Sequence, residues 1–204
     1  MKKRSIKILL LGDPSVGKTS LQIRFEDGYF PLEYIPTVFN SYSAELVVEN
    51  ITFRIVIFDT NGNEDYDRIR HLSYPGTDVV LLCFSLVSRE TFYHIKTKWI
   101  KEIRQYQPNS HCILVGLKSD LKRDFALNQD QMNSNEAESN EIKDQTPIST
   151  SEIEQMKDDI NADYFFECSS LADIKVTEIF ETACEIMIHN YHEVKKKRTK
   201  CIIS

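Results

Sequence analysis

The sequence contains no long apolar run, no regular cysteine pattern and no basic face. No stretch approaches the roughly 20 apolar residues that a membrane-spanning helix needs, and the first residues, MKKR, lead into a short strand pattern instead of a signal peptide. Both absences predict a protein that is made and kept in the cytosol. The five cysteines lie far apart and mostly in apolar segments, which matches neither a disulfide framework nor a metal-ligand motif.

The formal charge of −6 is unevenly distributed. Residues 195–200 carry five basic side chains and no acid, so the rest of the chain has a charge of −11. An acidic body without a basic face argues against nucleic acid as a partner, whereas the basic end suits an anionic membrane. With 204 residues, of which 41% are apolar, the chain is long enough for one well-packed domain and short for two.

One motif organises the chain. Residues 12–19 read GDPSVGKT and fit G-x-x-x-x-G-K-[ST]. The apolar run 6–11 predicts a buried strand before the motif, and residues 19–26 predict a helix after it, so backbone N–H groups would converge on a phosphate. Lys18 would place its charge between the terminal phosphates, and the Thr19 hydroxyl suits a Mg²⁺ ligand. An accidental glycine-rich turn is the alternative, and the flanking strand and helix argue against it.

Beyond this loop, strand and helix patterns alternate. Residues 44–48 and 52–58 predict an antiparallel hairpin after a broken loop. Strand patterns at 78–85, 112–116 and 164–168 are interleaved with helix patterns at 88–106, 152–159 (capped by Thr150 or Ser151) and 173–192. This order predicts one α/β domain in which helices cover both faces of a mostly parallel sheet, with ligands at the carboxyl ends of the strands.

The domain is predicted to span residues 1–192, followed by a basic tail at 193–204. Within the domain, a polar and acidic segment at about 128–147 cannot bury much surface. Its composition leaves open whether it is a solvated helix or a disordered loop.

Two further segments follow predicted strands at the same edge of the sheet. Asp59 can hold Mg²⁺ through water, and the Gly62 N–H can reach a terminal phosphate. After the strand 112–116 come Lys118 and Asp120. The Asp120 carboxylate can accept two hydrogen bonds from guanine N1 and N2, a pair of donors that adenine lacks. The sequence therefore predicts binding of GTP and not ATP.

These residues resemble the Ras superfamily of small GTPases and, within it, the Rho/Rac branch. The resemblance runs from Ile6 to the C-terminus, and the stretches that carry it are YIPTVF at 34–39, DYDR at 65–68, LSYP at 72–75 and CFSLVS at 83–88. The polar segment lies where Rho proteins carry an insert helix. The sequence ends in CIIS, a prenylation box in which the terminal serine favours farnesylation of Cys201.

The resemblance implies the P-loop NTPase (G domain) fold: a six-stranded, mostly parallel sheet with one antiparallel edge strand and about five helices on both faces. It also implies a GTP/GDP switch that uses Mg²⁺, binds effectors in the GTP form and regulates the actin cytoskeleton. The implied partners are effectors, exchange factors, GTPase-activating proteins and a dissociation inhibitor. The protein is expected to be a monomer, anchored at the cytoplasmic face of the plasma membrane by the lipidated basic tail, with a cytosolic pool.

The resemblance also assigns roles to individual residues. Thr37 is expected to reach Mg²⁺ and the terminal phosphate, Tyr34 to close over the phosphates, and Phe30 to pack against base and ribose unless it is simply core. Lys118, unless it is a solvated charge, lies along the guanine plane. The metal site comprises Thr19, Thr37 and, through water, Asp59, and the nucleotide site comprises Asp13, Pro14, Ser15, Val16, Gly17, Lys18, Thr19, Ser20, Phe30, Tyr34, Thr37, Gly62, Lys118, Asp120, Ser169, Ser170 and Leu171. Trp99 is predicted to be core packing only.

Four residues depart from the family pattern. Asn63 replaces the glutamine that orients water, Asn61 replaces alanine, and Pro14 replaces glycine. The fourth, Leu117, replaces an asparagine or threonine whose polar group ties its loop to residues 12–19.

The predicted catalytic set is therefore Lys18, Thr37, Gly62 and a degenerate Asn63, and slow GTP hydrolysis is expected. A GTPase-activating protein that supplies the missing groups would restore a normal cycle. A GTP-locked scaffold is the competing function, and a nucleotide kinase is disfavoured because the chain lacks an arginine-rich lid.

Overall fold

The structure is a computed structural model that describes residues 3–33, 37, 39–132 and 146–201; side chains are described up to residue 128 in the third range and up to residue 191 in the last. The strands are β1 (Lys3–Leu11), β2 (Phe39–Val48), β3 (Ile51–Thr60), β4 (Val79–Ser85), β5 (His111–Leu117) and β6 (Tyr164–Glu167). They form one sheet in the order β2-β3-β1-β4-β5-β6. Only the pair β2–β3 is antiparallel among the described strands. The predicted sheet is confirmed.

The described helices outnumber the five that the sequence predicts. They are α1 (Lys18–Asp27), α2 (Asp67–Leu72), α3 (Arg89–His94), α4 (Ile100–Tyr106), α5 (Ser119–Met132), α6 (Thr150–Asp159) and α7 (Val176–Cys201). Helix α2 is too short to show a helical period, and the last residues of α5, 128–132, fall within the segment for which the sequence predicts either a solvated helix or a disordered loop. Helix α7 begins later than predicted and continues past His192. Residues 133–145 of the acidic segment lie outside the described residues.

Helices cover both faces of the sheet, and β1 contributes buried side chains to the hydrophobic core on each face. Ile8 and Leu10 belong to the core that contains α1 and α7, whereas Leu9 and Leu11 belong to the core that contains α3, α4 and α6. A buried strand in a parallel sheet needs apolar residues on both faces, which explains its continuous hydrophobic run. The carboxyl ends of the parallel strands consequently open at one edge between the two helix layers.

The predicted helix 88–106 is interrupted. A π-helical segment, Ile95–Trp99, separates α3 from α4. The wider turn places Ile95, Trp99 and Ile103 together in the core, each with no exposed surface. Insertions of this kind are frequent near functional sites, and this one approaches the loop at 12–19.

The cap of α6 is not Thr150 or Ser151, as predicted, but Ser149. Its hydroxyl accepts from the Glu152 N–H while the Glu152 carboxylate accepts from the Ser149 N–H, a reciprocal capping box. Hydrogen bonds from Arg89 and from Ser149 lower the pKa of Glu152 to about 2, so the carboxylate stays ionised.

No helix in the described ranges combines the length with the hydropathy that a bilayer crossing requires.

Candidate functional site

The phosphate loop, residues 12–19, joins β1 to α1. Ser15 and Gly17 have φ angles of 59° and 114°, which turn the backbone inward ahead of the helix. Gly17 caps α1 without any side-chain hydrogen bond. The first-turn N–H groups of the helix are thus available to an anion, together with the positive end of the helix dipole.

Lys18 is held inside this loop. Its Nζ donates to the carbonyl oxygens of Gly12 at 2.9 Å and Asp13 at 2.7 Å, and only 5% of the residue is exposed. Burial lowers the pKa of Lys18, and the Asp59 carboxylate opposes that shift. An ammonium group held by two carbonyl oxygens at the base of the loop can neutralise phosphate charge.

Three residues form an oxygen cluster beside Lys18: Thr19, Thr37 and Asp59. The Thr19 Oγ1 lies 2.7 Å from the Thr37 Oγ1 and donates to the Asp59 Oδ2 at 2.6 Å. The second carboxylate oxygen of Asp59 is buried and has no hydrogen-bond partner among the described residues. Burial raises the pKa of Asp59, and the Thr19 hydroxyl and Lys18 counteract the rise. Two hydroxyls and an unsatisfied buried carboxylate oxygen fit a hard cation such as Mg²⁺.

Gly62 is pressed against the phosphate loop. A Cβ at this position would lie 2.2 Å from the Gly12 oxygen, 2.5 Å from the Asp13 carbonyl carbon and 2.6 Å from the Pro14 nitrogen. All three are backbone atoms, so a side chain at this position fits only if the Gly62 backbone or the phosphate loop shifts. The Gly62 backbone is accordingly within reach of whatever the loop binds.

The side chains of Asn61 and Asn63 are both engaged by protein atoms. The Asn61 Nδ2 donates to the Thr37 carbonyl at 2.6 Å, and its Oδ1 accepts from the Asn63 N–H at 2.8 Å. The Asn63 Oδ1 accepts from the Asp65 N–H at 3.2 Å and so caps a 3₁₀ turn, Glu64–Tyr66. Asn63 therefore contributes a local cap, a role that its position in the motif did not reveal.

The base loop, residues 117–120, follows β5. The Asp120 Oδ1 accepts from the Ser169 Oγ at 2.5 Å, and Ser169 in turn accepts from the Ala172 N–H at 3.0 Å. The Lys118 Nζ donates to the Ser15 carbonyl at 2.9 Å, which ties this loop to the phosphate loop. Burial lowers the pKa of Lys118. This bond uses one carboxylate oxygen of Asp120, and the other oxygen can accept from a base.

Two adjoining cavities connect these parts. One of about 290 Å³ lies against the phosphate loop, Thr37 and Gly62, and the other, of about 230 Å³, lies against the base loop. Phe30, Gly17, Ser20 and Lys118 line both cavities. The remaining predicted residues of the second cavity are Val16, Asp120, Ser170 and Leu171. Tyr34 lies outside the described residues, as does the side chain of Cys201.

Leu117 is buried, with 1% exposed, beneath the phosphate loop. A Cβ on Gly17 would lie 3.6 Å from the Leu117 Cδ1. The polar group that the family pattern places at this position is thus replaced by an apolar contact with the phosphate loop.

Arg24, which sequence reasoning missed, supports the other side of the base site. Its Nε donates to the Ser170 carbonyl at 2.7 Å and its Nη2 to the Leu171 carbonyl at 3.0 Å. Its position on α1 gave no signal of this contact, because Ser170 lies 146 residues away in the sequence.

Trp99 lies in the hydrophobic core, as predicted, and it also makes a hydrogen bond that the prediction did not include. Trp99 is fully buried, but its Nε1 donates to the Asp13 Oδ1 at 2.8 Å. The other carboxylate oxygen of Asp13 lies 2.6 Å from the His94 Nδ1. His94 at the end of α3 and Trp99 in the π-helical segment therefore hold the two oxygens of a phosphate-loop side chain. A buried indole N–H normally needs such a partner, and that requirement was the available signal.

Arg70 connects the segment after β3 to α4. Its guanidinium has no exposed surface and contacts Glu102 at 3.1 Å and Asp67 at 2.5 Å. Its Nη1 also donates to the carbonyls of Asn61 at 3.1 Å and Asn63 at 3.2 Å. Sequence reasoning missed this residue because its partners come from three separate elements.

Comparison with known families agrees with this geometry. The family model described as "Ras family" matches residues 7–189, which include every strand from β2 to β6 and most of β1. The phosphate loop, the oxygen cluster and the base loop all lie inside the matched region. The chain therefore belongs to the Ras family of small GTPases, a family of guanine-nucleotide switches with GTPase activity.

Proposed function

We propose that this chain is a Rho-type GTP/GDP switch that binds effectors in its GTP form and hydrolyses GTP slowly. One observation carries the nucleotide part of the proposal: the phosphate loop, the oxygen cluster and the base loop meet around two adjoining cavities at the carboxyl ends of β1, β3 and β5. Such an edge is where open α/β sheets bind ligands.

In this proposal each part of the site has one task. Lys18 and the N–H groups of the phosphate loop bind the phosphates, and the Asp120 carboxylate accepts from guanine N1 and N2 while Lys118 covers the base. Thr19, Thr37 and, through water, Asp59 hold Mg²⁺, which when bound neutralises phosphate charge. Competition of GTP and ATP for the GDP-loaded protein tests the base assignment: GTP should displace GDP, and equal displacement by ATP would instead favour a kinase-like site.

Slow hydrolysis is supported by what the two asparagines contact. A water-orienting amide must reach the attacking water, but Asn63 is one methylene shorter than glutamine and its Oδ1 caps residues 64–66. The Asn61 side chain is already hydrogen-bonded to the Thr37 carbonyl and to the Asn63 N–H. Pro14 adds a ring and removes an N–H where an incoming arginine would need room.

We expect single-turnover hydrolysis of bound GTP to be slower than about 3–5 × 10⁻⁴ per second, the intrinsic rate of Ras itself. Asn63→Gln should raise the rate about tenfold or more, because a longer amide can leave the cap and reach the water. The exposed Asn128 on α5 offers the matched control, Asn128→Gln, which should leave the rate unchanged. A wild-type rate at or above the Ras value that Asn63→Gln does not alter would contradict the proposal.

A GTP-locked scaffold is the second candidate, and the same contacts of Asn61 and Asn63 favour it. It differs from a slow switch in one measurable respect: a scaffold retains GTP through purification and releases no phosphate over days. An arginine-supplying activating protein would accelerate the slow switch and would leave the scaffold unaffected.

The remaining features of the proposal come from the resemblance to Rho proteins. We propose the expected set of regulators and effectors, an actin-related role, and anchoring at the cytoplasmic face of the plasma membrane by Cys201 and the basic residues of 195–200. Each basic residue contributes about 1 kcal/mol near an anionic leaflet.

Cys201→Ser should move the protein from the membrane fraction to the cytosol, because one lipid chain and the basic residues act together. Intact mass of the protein from cells checks that the chain ends at a lipidated Cys201. If Cys201→Ser stays in the membrane fraction although its intact mass shows no attached lipid, lipid anchoring is refuted.

A further inference from the structure

The Arg24 guanidinium is anchored by three backbone carbonyls from two distant segments. Its Nε donates to the Ser170 carbonyl at 2.7 Å, and its Nη2 donates to the Leu171 carbonyl at 3.0 Å. Its Nη1 donates to the Gly28 carbonyl at 2.8 Å, at the residue where α1 ends. Because the guanidinium is planar and its donors are fixed relative to one another, the carbonyls of Ser170 and Leu171 are held in one orientation.

The orientation of the Ser170 carbonyl also sets the direction of the next N–H group. The peptide between Ser170 and Leu171 is trans, and in a trans peptide the C=O and N–H bonds point in opposite directions. The Leu171 N–H is therefore directed away from Arg24. It donates to no acceptor within the described ranges, whereas the N–H of Ala172 donates to the Ser169 Oγ at 3.0 Å.

This turn lies beside the base site. Ser170 and Leu171 line the cavity of about 230 Å³ together with Asp120, and the Ser169 Oγ donates to the Asp120 carboxylate at 2.5 Å. In guanine the 6-oxo group is next to N1, and the proposed site places N1 and N2 against Asp120. The 6-oxo group would then face the turn, where an acceptor of this kind needs a donor. The Leu171 N–H is suited to that oxygen.

We propose that Arg24 is a positioning residue for base recognition: it holds the peptide between Ser170 and Leu171 so that the Leu171 N–H donates to the 6-oxo group of guanine. The inference rests on the proposed nucleotide site and adds a second point of base selection to that of Asp120. Hypoxanthine, the base of inosine, carries the 6-oxo group but lacks the 2-amino group, whereas 2-aminopurine carries the amino group and lacks the 6-oxo group. The two points can therefore be tested separately.

The test compares the affinities of the full chain for GDP, inosine diphosphate and the diphosphate of 2-aminopurine riboside. Arg24→Met keeps an unbranched side chain but removes all of its donors. In this variant the affinity ratio of GDP to the 2-aminopurine nucleotide should fall about three- to tenfold, the effect of one net hydrogen bond. The ratio of GDP to inosine diphosphate should stay within about twofold, because both bases carry the 6-oxo group. A loss that affects all three nucleotides equally cancels in these ratios.

Arg24→Lys is the second variant, and it carries the test if Arg24→Met is too unstable to purify. Lysine keeps the charge, but a single ammonium group lacks the fork that holds two neighbouring carbonyls, so the ratio of GDP to the 2-aminopurine nucleotide should fall at least about twofold. Arg54→Met, at an exposed position on β3, is the matched control and should leave both ratios at their wild-type values.

The outcomes separate the inference from the function on which it rests. A wild-type protein that binds the 2-aminopurine nucleotide as tightly as GDP has no guanine site, and both proposals then fail. If the wild type prefers GDP and the Arg24 variants keep that preference unchanged, Arg24 supports the fold alone and only the inference is rejected. It is rejected as well if both ratios fall together, because the loss would then not be specific to the 6-oxo group.

Discussion

Arg70→Met is expected to lower the free energy of unfolding by about 3–5 kcal/mol, the usual cost of removing one partner from a buried ion pair. The Arg70 side chain has no exposed surface and contacts the carboxylates of Asp67 and Glu102. Methionine can fill similar space but donates no hydrogen bond. Glu102, whose side chain is only 14% exposed, would keep His71 and the Tyr74 hydroxyl as its described partners and lose its permanent cation.

Thermal unfolding at a fixed GDP concentration measures this loss. For a chain of this size each kcal/mol corresponds to about 2–4 °C, so the Tm should fall by about 6–20 °C. Arg68→Met, on the exposed face of the same helix α2, is the control and should change stability by less than about 0.5 kcal/mol. An equal Tm for the two variants would mean that the buried contacts of Arg70 contribute no net stability.

The parts of this protein that the sequence predicts well are those encoded locally. The apolar run of β1, the glycine-lysine-threonine turn and the start of α1 are consecutive, so one motif specifies the whole phosphate loop. The same holds for the hairpin, where Glu49 and Asn50 adopt φ angles of 49° and 60° that suit a two-residue turn. Local chemistry and long-range structure agree at these positions.

The parts that could not be predicted depend on contacts between distant elements. Trp99 bonds to Asp13 across 86 residues, and Arg70 reaches Glu102 across 32. Neither contact leaves a mark on the local periodicity, and Trp99 falls at a spacing that favours plain core packing. Asn61 illustrates the same limit: its identity departs from the family pattern, but only the fold reveals that its amide reaches Thr37.

Gly62→Ala is expected to reduce the preference for GTP over GDP by roughly 5- to 150-fold. The added Cβ would lie 2.2 Å from the Gly12 oxygen and 2.6 Å from the Pro14 nitrogen, distances that only a backbone shift can relieve. Overpacking against fixed backbone costs about 1–3 kcal/mol, which corresponds to roughly 5- to 150-fold in an equilibrium constant. The shift would carry the Gly62 N–H away from the phosphate loop, where in our proposal it meets the terminal phosphate.

Affinities of fluorescently labelled GDP and GTPγS, measured for each variant, test this expectation. GDP lacks the γ-phosphate, which is the terminal phosphate of GTP. Its affinity in Gly62→Ala should therefore stay within a few fold of the wild type while the affinity of GTPγS falls. Gly76→Ala is the matched control, since Gly76 has a positive φ of 73° but nothing within 4 Å of an added Cβ. That variant should show backbone strain in its Tm and an unaltered nucleotide preference. If Gly62→Ala instead weakened both nucleotides equally, Gly62 would support the phosphate loop as a whole and would not distinguish the terminal phosphate.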